Sequence, residues 1–148
     1  MDKNAYLIEL SEGGQTSFGR IDLREQSEEQ QVFSAIWELE SQVNNGGFAQ
    51  YFSSADGHTA HFAVAALKRI GASRCADIVA RALRTATSGA LPDEQTTRVQ
   101  IINDLNQQAQ EVLESLDQEF FSYPDNLTEL LFEFVRCKPQ FFGAIGDE

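Results

Sequence analysis

The sequence predicts an all-α protein: a single-domain bundle of six or seven helices over residues 27–142, preceded by an N-terminal arm over residues 1–26. Apolar residues recur at three- and four-residue spacing in several segments, which is the period of amphipathic helices, and Gly, Pro and Asn separate these segments. With 148 residues, of which 42% are hydrophobic, the chain is long enough to bury one core. We therefore expect residues 1–148 to form one domain.

The N-terminal arm has two interpretations. Residues 6–10 and 18–23 have the composition of two short strands around the turn residues Gly13 and Gly14, which would make a β-hairpin. The alternative is an irregular arm packed on the helices. Because an isolated hairpin is marginally stable in water, either form must dock against the helical core.

The first core helix is predicted to begin at Ser27. Its hydroxyl is a preferred helix cap, Glu28 and Glu29 follow in the first turn, and Gln30 completes a capping box. An amphipathic helix follows because apolar residues recur at helical spacing. These residues are Val32, Phe33, Ile36, Trp37, Leu39 and Val43.

The stretch Asn-Asn-Gly-Gly-Phe-Ala-Gln-Tyr-Phe at residues 44–52 interrupts that helix. Asn and Gly tolerate positive φ, so residues 44–47 predict a helix end followed by a sharp change of direction. Three large rings at i, i+3 and i+4 then share one face of a short helix, which favours a buried corner of the core. The alternative is a ligand pocket with polar contacts from Asn44, Asn45 and Gln50, although the stretch holds no nucleophile. The corner motif comprises Asn44, Asn45, Gly46, Gly47, Phe48, Gln50, Tyr51 and Phe52.

Two further helices predict an α-hairpin. Residues 59–70 form the first, which ends at Gly71, and residues 73–86 form the second, which Ser73 is expected to cap. Small residues on both helices allow their backbones to approach closely.

The C-terminal part is predicted to begin with one long helix over residues 93–117, since acidic residues follow Pro92 in its first turn. Residues 123–126 form a break, residues 127–135 the last helix, and two phenylalanines are expected to pin the chain end to the core. The apolar stripe of the long helix is Ile102, Leu105, Ala109, Val112, Leu116 and Phe120, and the pinning residues are Phe141 and Phe142.

Candidate catalytic groups are few. His58 and His61 could present two imidazoles at a helix start near Asp56, but a solvated or capping pair is the simpler interpretation. Cys75 and Cys137 have no metal-ligand spacing and predict buried free thiols in a reducing cytoplasm. No nucleophile elbow, phosphate-binding loop or bilayer-spanning apolar run is present. We therefore expect a non-enzymatic, cytoplasmic protein with no catalytic residue, cofactor or metal.

The net charge of −12 disfavours direct binding to nucleic acid and to anionic membranes, and it favours basic partners. Basic residues concentrate in residues 58–88, which carry five of them and one acidic residue. Within this segment Arg74, Arg81 and Arg84 share one helix face, beside Lys68 and Arg69. We expect this strip to pair with acidic residues, either within the chain or across a symmetric dimer interface.

Acidic residues dominate residues 99–135, which hold eight of them and no Lys or Arg. On one long helix, the outward-facing Asp104, Glu111 and Glu114 would be spaced by roughly 10 and 5 Å along the axis, which resembles a row of phosphates. A merely solvating face is the alternative, but exposed helices ordinarily interleave Lys at i, i+4. We expect a partner-binding surface made of Asp104, Glu111, Glu114, Asp117, Glu119, Asp125, Glu129 and Glu133, helped by Glu25, Glu28 and Glu29.

The run over residues 36–52, and above all its Asn-Asn-Gly-Gly-Phe-x-Gln-Tyr-Phe core, resembles the signature of a bacterial family of small helical proteins that includes a DNA mimic. The similarity continues less tightly over about residues 28–88. The resemblance implies an all-α fold, a homodimer and, for the DNA-mimic member, an acidic surface that occupies the DNA site of a transcription regulator. It carries over no acidic residue, because the matching residues form the corner.

The sequence thus predicts a non-enzymatic acidic protein that binds a basic partner, with mimicry of DNA against a transcription regulator or other DNA-binding protein as the leading mechanism. Two alternatives stay open. One is a small-molecule or metal-dependent enzyme that uses His58 and His61 beside the corner at residues 44–47. The other is a structural interaction module whose charge only keeps it soluble.

Overall fold

The computed structural model describes residues 2–12 and 25–143. Within these residues the chain forms eight α-helices, one 3-10 helix (η1) and no strand, so the all-α prediction is confirmed. The elements are α1 (Lys3–Ser11), α2 (Glu28–Ser53), η1 (Ala55–Thr59), α3 (Ala60–Arg69), α4 (Ser73–Ala86), α5 (Gln95–Asn103), α6 (Gln107–Phe121), α7 (Leu127–Arg136) and α8 (Pro139–Phe142).

The predicted first strand of a hairpin is wrong, because residues 6–10 lie in α1. This helix begins where the Asp2 carboxylate accepts a hydrogen bond from the Ala5 N–H at 3.0 Å, which is an N-cap. Tyr6 docks α1 on α7 through an edge contact with Phe132, at 5.8 Å between ring centroids. The predicted second strand, residues 18–23, lies outside the described residues.

Helix α2 is the centre of the bundle and packs against α3, α5, α6, α8 and η1. Its capping box is confirmed: Ser27 Oγ accepts from the Gln30 N–H at 3.1 Å, and Gln30 Oε1 accepts from the Ser27 N–H at 3.0 Å. The helix continues to Ser53, but its backbone is non-helical at Gly46 and Gly47. The predicted change of direction is therefore confirmed as a kink within α2.

The α3–α4 hairpin is also confirmed. It turns at Gly71, where φ is +85°, and the small side chains Ala63, Ala66 and Ala76 are fully buried. The predicted cap is wrong, because Ser73 is the first residue of α4 and makes no capping hydrogen bond. The first turn of α4 is capped instead by a carboxylate that is distant in sequence and is described below.

The predicted long helix is wrong, because the chain breaks between α5 and α6. Asn106 is the N-cap of α6, and its side-chain oxygen accepts from the Ala109 N–H at 2.8 Å. The break changes the phase of the apolar face: Leu113 is 2% exposed, whereas Val112 from the predicted stripe is 41% exposed. At the chain end the prediction holds, since Phe142 is fully buried and Phe141 packs against the core.

Candidate partner-binding surface and the α2 corner

The corner in α2 depends on Gly47. Its φ of +83° and ψ of −176° lie in a region that only glycine occupies readily. A Cβ at this position would lie 2.3 Å from Asp117 Oδ2, so the α6 carboxylate fills the space that a side chain would need. Backbone conformation and close approach both require glycine here.

Asp117 closes the corner. Its Oδ1 accepts from the Phe48 N–H at 2.8 Å, which caps the second segment of α2 across 69 residues of sequence. Partial burial raises the pKa of Asp117, although the Phe48 hydrogen bond opposes the rise and the charge of Glu114 adds to it. Phe48 also makes an edge contact with Phe120 at 5.8 Å. This predicted partner-binding residue therefore holds the core corner together.

The aromatic residues of the motif confirm the buried corner: Phe48, Tyr51 and Phe52 are all fully buried. The polar residues proposed for a ligand pocket are largely engaged within the chain. Asn44 Nδ2 donates to the Tyr123 hydroxyl at 2.8 Å, and Gln50 Nε2 donates to Gln42 Oε1 at 3.0 Å across the kink. Asn45 is exposed.

A hydrogen-bonded chain joins α2 to the break after α6. The Tyr123 hydroxyl accepts from Asn44 and donates to Glu40 Oε2 at 2.7 Å. Burial raises the pKa of Tyr123 to about 12 and also raises the pKa of Glu40. Tyr123 has a φ of +50°, which is uncommon for a residue with a side chain, and these two contacts fix it there.

Glu38 is a buried carboxyl group that the sequence did not single out. Its Oε2 is buried and has no hydrogen-bond partner in the described part of the chain. Burial, with a smaller contribution from the charge of Asp56, raises the pKa of Glu38 to about 7. Asp56 itself accepts from Gln42 Nε2 at 3.0 Å.

The structure gives internal partners to five of the eight predicted partner-binding residues. Asp117 and Asp125 accept backbone hydrogen bonds; Asp125 Oδ2 accepts from the Cys75 N–H at 2.8 Å and so caps α4. The other three form ion pairs, which join Glu119 to Arg81, Glu129 to Lys3 and Glu133 to Arg136. Glu119 accepts hydrogen bonds from both Arg81 amino groups, at 2.8 and 3.1 Å.

The remaining three, at the start of α6 and just before it, have no cation partner among residues 2–12 and 25–143. Asp104 accepts from Gln100 at 2.9 Å, Glu111 accepts from Gln107 at 3.3 Å, and Glu114 accepts no hydrogen bond within that part of the chain. All three are exposed. We call Asp104, Glu111 and Glu114 the unpaired acidic group.

Arg98, the one basic residue in residues 89–135, does not neutralise this group at the surface. It is 1% exposed. Its Nε donates to the Phe52 carbonyl at 2.9 Å, and its amino groups donate to the carbonyls of Ser54 at 2.8 Å and Pro92 at 3.0 Å, with a further bond to Asp93. The guanidinium thereby satisfies the carbonyls at the end of α2.

Residues 24–138 match the family described as DMP19-like protein, and this range includes the corner and all eight predicted partner-binding residues. The chain belongs to the DMP19-like protein family. The match extends well beyond residues 28–88, on which the resemblance rested. No curated protein and no solved structure matches the chain significantly.

The basic strip of this DMP19-like chain is partly neutralised from within. Arg81 Nε donates to Asp77 at 2.9 Å in addition to its contact with Glu119, and Arg69 pairs with Glu28 at 3.3 Å. Arg74 and Arg84 make no ion pair with the residues that the structure describes.

The two histidines of the enzyme alternative both contact backbone carbonyls of their own segment. His58 Nδ1 lies 2.8 Å from the Ala55 carbonyl, and His61 Nδ1 contacts the His58 carbonyl. Across residues 2–12 and 25–143, no three His, Cys, Asp or Glu side chains are grouped so as to hold a metal ion. Cys75 is buried, which raises the pKa of its thiol to about 11, whereas Cys137 is exposed, so its predicted burial is wrong. No helix among these residues is long and apolar enough to cross a bilayer.

Proposed function

We propose that this chain is a non-enzymatic, cytoplasmic DNA mimic that binds a basic, DNA-binding protein such as a transcription regulator. The observation that carries the proposal is the unpaired acidic group, three exposed carboxylates without a cation partner in the described part of a chain of net charge −12. Family membership adds support, because the family name refers to DNA mimic protein 19.

The proposed mechanism is competitive occupancy. Carboxylates of the unpaired acidic group take the place of phosphates against Lys and Arg side chains of the partner, which then cannot bind DNA. Glu111 and Glu114 lie about 5 Å apart along α6. The carboxylates that pair with Arg or Lys contribute less to the long-range field that attracts the partner, since their charges are locally compensated. Affinity should fall as salt screens these exposed charges.

The test is retention of a DNA-binding protein fraction on the immobilised chain at low salt. We expect double-stranded DNA to release the retained protein at a lower concentration of phosphate groups than the concentration of carboxylate groups that polyglutamate requires. The reason is that a DNA mimic shares the DNA site of its partner. Failure to retain any basic protein at low salt would contradict the proposal.

Matched charge reversals locate the contact. The double variant Glu111→Lys/Glu114→Lys should lose retention, whereas Glu129→Lys/Glu133→Lys, with the same change in net charge, should lose much less. Equal losses in both would mean that only overall charge matters. The homodimer implied by the resemblance is also a proposal, and light scattering of the purified chain measures it directly.

A further inference from the structure

A cleft of about 310 Å³ lies where the second segment of α2 meets the end of α5 and the start of α6. Its apolar lining consists of Ala49, Ile102, Leu105 and Leu113, of which Leu113 is buried and the others half-buried. Its size falls at the lower end of the roughly 300–1,000 Å³ of small-molecule sites. It suits one long side chain better than a cofactor.

One side of the cleft is acidic. Glu114 and Asp117 line it from positions three residues apart on α6, and Asn103 and Gln110 complete the lining. Asp117 Oδ1 is occupied by the Phe48 N–H, but Glu114 has no hydrogen-bond or ion-pair partner in residues 2–12 and 25–143. The two negative charges disfavour each other, so a cation placed between them would be attracted by both.

We propose that this cleft receives one arginine side chain of the basic partner, with its methylene groups against Ala49, Ile102 and Leu113 and its guanidinium against Glu114. The inference rests on the proposed function and names the chemistry of its central contact. An arginine combines an apolar stem with a charged head, as the two sides of the cleft require. Its planar fork can engage a carboxylate through two hydrogen bonds, which a lysine cannot.

Charge complementarity alone does not favour Glu114 over Glu111, because Glu111 is also exposed and belongs to the unpaired acidic group. Glu111 lies one turn before Glu114 on α6 but does not line the cleft. Within the unpaired acidic group, Glu114 is the residue that lines this apolar recess. Side chains that fill such recesses commonly dominate interface energetics, and arginine is enriched among them.

The direct test is a nuclear magnetic resonance titration with the peptide acetyl-Gly-Ser-Arg-Ser-Gly-amide. We expect saturable shifts of the Ala49, Ile102 and Leu113 amides. The same peptide with citrulline, which lacks the charge, or norleucine, which retains only an apolar stem, should bind at least about tenfold more weakly, since each loses charge-assisted hydrogen bonds. Equal affinity for the three peptides, or non-saturating shifts spread over all acidic residues, would overturn the proposal that the cleft binds arginine.

Two pairs of variants sharpen the titration. Glu114→Gln should weaken binding of the arginine peptide about tenfold, and Glu111→Gln, with the same change in charge, by less than about twofold. Ala49→Leu should abolish binding by filling the recess without any change in charge, whereas Ala65→Leu, at an exposed position on α3, should leave it unchanged. Unchanged peptide shifts in folded Ala49→Leu protein would overturn the proposal.

Failure of the cleft and failure of the proposed function give different results. In one case a basic protein is retained and released by DNA, but the Glu114→Gln and Glu111→Gln variants retain it equally and Ala49→Leu does not change retention. The proposed arginine site is then wrong, whereas the proposed DNA mimicry is supported. If the arginine peptide binds the cleft but no basic DNA-binding protein is retained, the cleft stands and the proposed function is wrong.

Discussion

The acidic residues of the unpaired acidic group and those further along the chain differ in what they contact. Asp104, Glu111 and Glu114 are exposed and have no cation partner in the described part of the chain. The five from Asp117 to Glu133 each accept a backbone N–H or pair with an arginine or lysine. Both sets consist of Asp and Glu within one acidic segment of the sequence, and the tertiary structure separates them.

The sharpest form of this difference lies within one turn of α6. Glu114 and Asp117 are three residues apart and both line the same cleft. Asp117 caps a segment of α2, whereas Glu114 is available to a partner. A carboxylate that stabilises the fold cannot be replaced without cost, so partner binding and folding can be assigned to neighbouring residues and tested separately.

The largest expected effect is on stability at Asp117. Asp117→Ala should lower the free energy of unfolding by about 2 kcal/mol, because the buried Phe48 N–H at the corner loses its acceptor. Glu114→Ala should change it by less than about 0.5 kcal/mol. Urea unfolding measures both, provided that the slope with denaturant is unchanged.

Asp117→Asn separates the hydrogen bond from the charge. Because burial raises the pKa of Asp117, the environment does not favour the ionised form, and a neutral amide oxygen can still accept from Phe48. This variant should lose less than half of what Asp117→Ala loses. A loss as large as that of alanine would mean that the negative charge, rather than the acceptor, stabilises the corner.

A smaller effect is expected at Glu38, whose Oε2 is buried without a hydrogen-bond partner among the described residues. Its pKa is raised from 4.5 to about 7 in the folded chain, so the folded state holds the proton more tightly than the unfolded state does. The stability that this tighter proton binding contributes is complete below pH 4.5, falls as the pH rises toward 7, and is lost above it. After allowance for partial exposure, we expect about 1.5 kcal/mol.

The measurement is urea unfolding of the wild type and Glu38→Gln between pH 4.5 and 8. The variant should lose this part of the decline in stability, and Glu25→Gln, at an exposed position, should retain it. Parallel pH profiles for wild type and Glu38→Gln would contradict the assignment of this decline to Glu38.

The helices whose signals are local could be predicted from the sequence. The Ser27 capping box, the kink at Gly46 and Gly47 and the turn at Gly71 each depend on residues within a few positions of one another. Residues 6–10 were misassigned because a five-residue window resembles a strand, whereas the Asp2 cap that begins α1 lies outside it. This error comes from the short length of the segment considered, because the residue that caps the helix lies outside it.

The break between α5 and α6 shows a different limit. Apolar residues on both sides could be joined into one helical stripe, so the pattern concealed the cap at Asn106. The break shifts the buried position from Val112 to Leu113, and a single phase for the two helices is therefore incorrect. It also removes the predicted regular spacing between Asp104 and Glu111, since they lie on opposite sides of the break.

The uses of individual carboxylates could not be predicted, because their partners are distant in sequence. Asp125 lies 50 residues from the Cys75 N–H that it caps, and Asp117 lies 69 residues from Phe48. Counting charges along the sequence therefore finds the acidic segment but not which of its residues have partners within the chain. Buried Arg98 was missed for the same reason, since its acceptors lie at the end of α2.

The smallest expected effect concerns the ion pair between Arg81 and Glu119, which lies on the surface where such pairs contribute little to stability. Its signature is therefore a pKa rather than an unfolding free energy. Hydrogen bonds from Arg81 hold the pKa of Glu119 below its ordinary value, and Arg81→Met should raise it. Carbon-detected titration of the Glu119 carboxyl measures this, and Glu133, whose pKa is lowered by Arg136, should stay unchanged as the internal control. A rise in the pKa of Glu119 would show that the substitution has left this carboxylate without its cation partner. If Arg81→Met then also strengthens retention of a basic protein, pairing within the chain is what keeps this part of the acidic region from binding partners; if retention is unchanged, position on the surface decides instead.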